Sequence, residues 1–358
     1  MREFCQFLYF CKNQCPILMM QIRQFFPMLF FSLFFLAIGC SGRGNRHEAN
    51  TGEAPSRSSA VEVPEFNQDS AYAYVARQVA FGPRVPNTES HRQAAAWMAE
   101  ILARFADTVE VQQARVRAFD GTVLNISNII ASFEPEARNR ILLCAHWDSR
   151  PFADYDPDPA NHYKPIPGAN DGASGVGVLI EIARVLSEKD PGIGVDIVLF
   201  DAEDYGQHEQ ASQQVEDTWG LGSQYWSRTP HRHDYNARFG ILLDMVGASG
   251  AQFRQEGFST FYAPNIVRKV WATARRIGYG HFFLEEQGGY VTDDHYYVNT
   301  IRNIPTINII HQENNQLHGF FPQWHTLEDD IDFIDPSTLK AVGQTVLTVI
   351  FEEGDSRP

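Results

Sequence analysis

Four apolar runs punctuate the chain: RILLCAH (140–146), GVDIVLFD (194–201), FGILLDMV (239–246) and IPTINII (304–310). Each is short, rich in Ile, Leu and Val, and too continuous to leave one face in water. That is the pattern of strands buried on both faces. Between the first two, VGVLIEIARVL carries Val176, Leu179, Ile180, Ala183 and Leu186 on one helical stripe. AAAWMAEILARF (94–105) has helical spacing too, and VEVQQARVRAF and TVLNISNIIASF read as strands flanking an Asp120-Gly121 turn. Strands alternating with helices predict an α/β sandwich. In such sheets ligands gather beyond the carboxyl ends of the strands, so the polar residues that follow each run are the ones to examine.

The N-terminus follows a different pattern. MQIRQFFPMLFFSLFFLAIGC, from Met20 to Cys40, has a short basic start, a long apolar run and small residues before a cysteine. This is a signal-peptide layout. Its ending, Ala37-Ile38-Gly39-Cys40-Ser41, resembles a bacterial lipoprotein box, in which Cys40 becomes the lipidated first residue. An uncleaved transmembrane anchor is the alternative, since the run approaches the spanning minimum of about 18 residues. Residues 1–19 are redundant for such an export signal, and Met20 is the expected start. The expected organisation is a lipoprotein signal over 1–40, a flexible tether over 41–61 and one catalytic domain over 62–358. The tether expectation rests on a polar stretch rich in Gly, Ser and charge, without apolar period. The protein is then expected in the bacterial cell envelope, held to the membrane through Cys40 and facing the periplasm or the cell surface.

Composition narrows the field. A formal net charge of −15 and the lack of a Lys/Arg cluster in the body exclude a nucleic-acid partner. With 44% hydrophobic residues the chain can bury a large core. Four of the five cysteines lie in or at the end of the export segment. Cys144 alone remains in the body, where it reads as a small buried hydrophobe.

Three of the four runs end in acids or histidine. After the first come His146 and Asp148; after the second Asp201, Glu203 and Asp204; at the end of the third Asp244. PIPGANDGASG adds Asp171 before a helix, TDDH adds Asp293, Asp294 and His295, and FFPQWHTLED adds Trp324 and His325. One such Asp is ordinarily a turn former or helix cap. Several uncompensated carboxylates at one end of one sheet repel and lose solvation, and a divalent cation resolves the conflict. Mixed Asp/Glu/His ligation is typical of zinc with an open catalytic position. His231, His233 and His318 lack such context and read as ordinary surface or core residues.

GANDGASGVGVLIEIARVL, FDAEDYG, LLDMVGA, TDDH and FPQWHT, in this order, resemble the zinc-dependent glutaminyl cyclases, and the likeness runs from FGPRVPNTESHR at Phe81 to Asp335. The resemblance implies a zinc-aminopeptidase-like fold: a three-layer α/β/α sandwich around a central mixed, mostly parallel sheet. It implies one zinc bound by Asp171, Asp204 and His325, with Glu203 as general acid/base. Asp293 and Asp244 match acids that hydrogen-bond around substrate and base, and Trp324 an indole lining the pocket. The implied substrates are peptides and proteins with N-terminal glutamine, cyclised to pyroglutamate with release of ammonia. Two departures stand out. Asp204 occupies a position that is Glu in most of the family. Asn308 stands where the animal enzymes carry a histidine, with His311 three residues later.

Two other readings remain open. A di-zinc aminopeptidase would place a second ion at His146 and Asp244, and the ligand inventory permits it. A non-catalytic peptide-binding lipoprotein would have no need of a free Glu203. Trp219, Trp226, Phe320 and Phe321 are the aromatics expected near the site, shaping preference for the second residue or packing the core.

Overall fold

The structure, a computed structural model, describes residues 61–355 apart from 209, 214 and 317. The lipoprotein signal, Cys40 and all but the last residue of the tether lie outside the described residues.

The central sheet has six strands: β1 (Thr108–Arg117), β2 (Val123–Phe133), β3 (Arg140–His146), β4 (Gly194–Phe200), β5 (Gly240–Asp244) and β8 (Thr306–Ile310). Their order is β1-β2-β4-β3-β5-β8. β4, β3, β5 and β8 run parallel, whereas β2 pairs antiparallel with both β1 and β4. The four apolar runs of the sequence are these four parallel strands, and the expected mixed, mostly parallel α/β/α sandwich is the observed fold. Two short strands, β6 (Phe253–Gln255) and β7 (Phe283–Gln287), form a separate parallel pair.

Period-two alternation assigns the strand residues to two cores. Ile141, Leu143, Ala145, Val195, Ile197, Leu199, Ile241 and Leu243 join the larger one. It also takes in residues of α1 (Gln68–Val79), α3 (Ala173–Glu188) and α8 (Pro336–Asp355). Leu142, Cys144, Val198, Phe200 and Leu242 face the opposite layer with Trp226 of α4 (Leu221–Arg228). Cys144 is thus a buried free thiol packed as a hydrophobe. The helical stripe read in VGVLIEIARVL is only part of what α3 buries. The helix is covered nearly all round, because α1 and α8 pack over the side turned away from the sheet. The helix read at 94–105 is α2 (Glu89–Leu102), which starts earlier at a Thr88 cap.

Register brings the chemistry to one edge. His146 aligns with Phe200 across β3–β4, and Asp244 with Ile310 across β5–β8. Since these strands are parallel, His146, the Asp201–Asp204 turn and Asp244 leave the sheet at the same carboxyl end.

Candidate active site

The turn after β4 is held by acids on neighbouring loops. Asp148 accepts from the backbone N–H of Glu203 and of Asp204, at 3.0 and 3.2 Å. Asp201 is fully buried and accepts from the N–H groups of Ser127 and Ala202, at 2.6 and 2.7 Å. His91 Nε2 reaches the same carboxylate at 2.9 Å, its ring stacked on Trp147. Asp201 therefore braces the turn, which is why three acids coexist within four residues. Asp329 does the equivalent for the loop before α3, accepting from the N–H of Asn170 and of Asp171 at 2.8 and 3.0 Å. Buried Arg84 ties the segment after β3 to the loop before α3 by donating to the carbonyls of Trp147, Pro167 and Gly168. At position 172 a Cβ would meet the His146 ring at 2.5 Å, so only glycine lets the Asp171 loop approach β3 this closely. Ala202, Met245 and His325 all adopt positive φ (51°, 51° and 55°) without being glycine. Such outliers cost roughly 1–3 kcal/mol each and cluster where function demands a fixed geometry.

Two groups of side chains among the described residues could hold a cation: Asp171, Asp204 and His325, and His146, Asp171 and Asp244. Their spacings differ. His325 Nε2 stands 3.5 Å from Asp204 Oδ1 and 3.7 Å from Asp171 Oδ2. Tetrahedral zinc with bonds near 2.0–2.1 Å sets ligand atoms about 3.3 Å apart, so this group has the right aperture. Asp204 Oδ2 is buried with no hydrogen-bond donor, a costly arrangement that a cation relieves. In the second group His146 Nε2 lies 3.0 Å from Asp171 Oδ1 and 3.2 Å from Asp244 Oδ1. These are direct contacts at hydrogen-bond length, without the aperture of the first group.

A support stands behind His325. Its Nδ1 faces Asp154 Oδ1 at 3.2 Å, and Asp154 takes a two-pronged contact from Arg150. Burial pushes the Asp154 carboxyl up, but Arg150 and His325 outweigh it and hold it well below the usual carboxylate range. Carboxylate–histidine pairing of this kind fixes the ring and its tautomer for metal ligation. Trp324 stacks on the His325 ring at 3.6 Å, and Trp219 lies nearly parallel to it at 6.1 Å.

Glu203 is buried, and burial pushes its carboxyl well above the ordinary value. His146 opposes the shift, while Asp293, Asp294 and Asp204 reinforce it. Asp244 is pushed up to about 8, first by burial and next by the Asp293 charge. Burial also raises Asp293, whose Oδ2 accepts from Asn308 Nδ2 at 2.6 Å. The Asn308 amide thus serves to hold Asp293. His311 is buried elsewhere, its ring stacked on Phe321.

Asp171, Glu203, Asp204, Asp244, Asp293, Trp324 and His325 all line one cavity of about 490 Å³. Trp219 and Phe320 line it as expected, but two of the named aromatics do not. Trp226 packs on Phe200 and Tyr235 beneath the sheet, and Phe321 is fully buried between His311 and Phe333. His318, read as an ordinary residue, instead lines the cavity, its ring 5.1 Å from Trp324. His231 does pack as a structural residue against Trp226, and His233 is exposed. Sequence reasoning missed Asp154, Asp329 and Arg84. Their one signal was position, in PFADYD, in the LED that follows His325 and in FGPR.

The fold that carries these residues is shared with known proteins. The family model described as peptidase family M28 matches residues 128–350, from β2 into the last helix. The chain belongs to peptidase family M28. The glutaminyl cyclase of Bacteroides thetaiotaomicron is 52% identical to this M28 chain, with a TM-score of 0.80 over 81% of this chain and 99% of that one. A zinc-dependent exopeptidase from Parabacteroides distasonis is 53% identical, with a TM-score of 0.80 over 81% and 99% of the two chains. Bovine glutaminyl-peptide cyclotransferase is 25% identical over 262 residues, covering 64% of this M28 chain and 66% of the bovine one. The chain spans 66% of that enzyme and less of its aminopeptidase and metalloprotease relatives. Zinc is the metal these relatives imply, and the Asp171–Asp204–His325 group fits it.

Proposed function

We propose that the protein is a glutaminyl-peptide cyclotransferase with one zinc per chain, held by Asp171, Asp204 and His325. The observation that carries this reading is the free carboxyl of Glu203, buried in the cavity beside a ligand group of zinc aperture. The second candidate group is drawn together by direct contacts, which favours one ion over two.

The substrate's α-amine attacks Cδ of its own γ-carboxamide, closing a five-membered ring as the C–N bond to the amide nitrogen breaks. Zinc bound there supplies Lewis-acid polarisation of the γ-carbonyl and stabilises charge on its oxygen. Glu203 takes a proton from the attacking amine and returns it to the departing nitrogen, which leaves as ammonia. A well-placed acid/base contributes roughly 10² to 10⁴-fold. Asp244 and Asp293 line the cavity beside Glu203 and orient the amine by accepting its hydrogen bonds. Trp324 packs against the glutamine side chain and helps exclude water from the ring-closing atoms, supplying the orientation term.

The test uses Gln-Phe as substrate. Release of ammonia and pyroglutamyl-Phe without free phenylalanine is the expected result, and liberated phenylalanine would establish the aminopeptidase instead. Export and lipid anchoring at Cys40, with the domain held at the bacterial envelope, belong to the same proposal and rest on residues 20–41 alone. A mature N-terminal peptide beginning at a diacylglyceryl-modified Cys40 is expected by mass spectrometry; one that retains the apolar run points to the uncleaved anchor.

A further inference from the structure

An aromatic ledge leads away from the cavity. Tyr290 belongs to both: it lines the cavity wall and is 68% exposed. Its ring meets Phe258 edge-on at 5.0 Å, at the start of α5 (Gly257–Tyr262). Phe258 in turn lies 4.7 Å from Tyr296 and 6.4 Å from Tyr262. The row ends at Phe261, 4.9 Å from Tyr262 and 71% exposed. Two large apolar rings so open to water are an unfavourable surface unless something covers them.

The ledge is fixed in place. Buried Glu256 accepts from the N–H of Phe258, of Ser259 and, across the gap, of Val291. One carboxylate therefore locks the helix that carries Phe258 and Phe261 to the loop that carries Tyr290. At position 257 a Cβ would meet the Tyr290 ring at 2.6 Å, so glycine there lets the ring lie against the helix. His295 Nε2 reaches the same Glu256 carboxylate at 3.0 Å, tying in the segment that bears Asp293.

We propose that this ledge is an extended subsite for substrate residues downstream of the second position, with preference for an aromatic side chain there. The occupant follows from continuity, since a peptide whose N-terminus sits in the cavity leaves it past Tyr290 and meets Phe258 and Phe261 next. Rigid aromatic rings pair with an incoming aromatic at small entropic cost. Binding energy from such remote contacts is realised in turnover of longer peptides and is absent for a dipeptide. The inference rests on the cyclase reading given above.

The experiment measures kcat/KM for Gln-Phe and for hexapeptides led by Gln and otherwise alanine, with a single Phe moved along the chain. Phe at one or more positions beyond the second is expected to raise kcat/KM about five- to tenfold over the all-alanine peptide. Phe261→Ala is expected to remove that gain and leave Gln-Phe turnover unchanged. Because Phe261 is exposed, the variant keeps its fold, which its thermal midpoint verifies. No gain at any downstream position, or a gain that survives Phe261→Ala, overturns the subsite. So does a Phe261→Ala variant that changes only the sedimentation coefficient or the binding to lipid vesicles, which assigns the ledge to a second copy of the chain or to a bilayer. If Gln-Phe releases no ammonia with the wild-type protein, the cyclase reading itself fails and the subsite with it.

Discussion

Glu203→Gln is expected to lower kcat on Gln-Phe by about 10³-fold, within the range lost when a positioned acid/base is removed. KM and zinc content should stay near the wild-type values. The amide keeps the size of the carboxyl and cannot carry the proton from amine to leaving nitrogen. Zinc content stays because Glu203 belongs to neither candidate ligand group. The fold should tolerate the change as well. The turn itself hangs on backbone N–H groups bonded to Asp148, which the substitution leaves alone. A variant that retains kcat within tenfold, with zinc bound and the thermal midpoint unchanged, would remove Glu203 from the mechanism. Glu203→Asp is the useful companion: it keeps the proton and shifts it by one methylene, so an intermediate kcat is expected.

The central sheet was legible because strands buried on both faces must be apolar throughout, and four runs of the chain have that composition. The site was legible for a related reason. Acids at the ends of such strands are electrostatically expensive, so Glu203, Asp204 and Asp244 stood out against their surroundings. The supporting residues carried no such signal. Asp329 serves by accepting backbone N–H groups 158 and 159 positions away, and nothing local distinguishes it from a surface acid in the run Glu328-Asp329-Asp330. Trp219 and Trp226 look interchangeable in sequence, seven residues apart. Only the placement of α4 sends Trp226 under the sheet while Trp219 faces the cavity. The missing methylene at Asp204 is read differently once the geometry is known, because its Oδ1 already stands 3.5 Å from His325 Nε2 without the longer side chain. Asn308 likewise has a partner in Asp293, which settles where its amide goes.

Removing zinc is expected to abolish activity and to make stability strongly dependent on pH; restoring about one equivalent per chain should reverse both. In the metal-free chain burial and the Asp293 charge hold Asp244 near 8, and burial with the Asp171 charge holds Asp329 near 7. An unfolded Asp titrates near 3.9, so between about pH 4 and pH 8 the folded chain binds more protons than the unfolded one. Stability then falls as pH rises through that window and levels off above the folded values. The histidines act in the same direction. Burial pushes His146 and His325 down, but the facing carboxylates outweigh it and leave both raised. Their contribution is complete below the unfolded histidine value near 6.5 and is lost as pH climbs through the raised folded one. A divalent cation replaces these protons as the countercharge, and its affinity grows with pH because it competes with them. Chelated protein should therefore melt at least about 4 °C lower at pH 8 than at pH 5.5, since roughly 1–2 kcal/mol corresponds to that shift in a domain of this size. The zinc-loaded protein should show a smaller change. Equal pH slopes for the two forms would mean that the acids of the cavity are not the groups the metal neutralises. Two equivalents required for full activity would restore the His146–Asp171–Asp244 group as a second site, and with it the aminopeptidase.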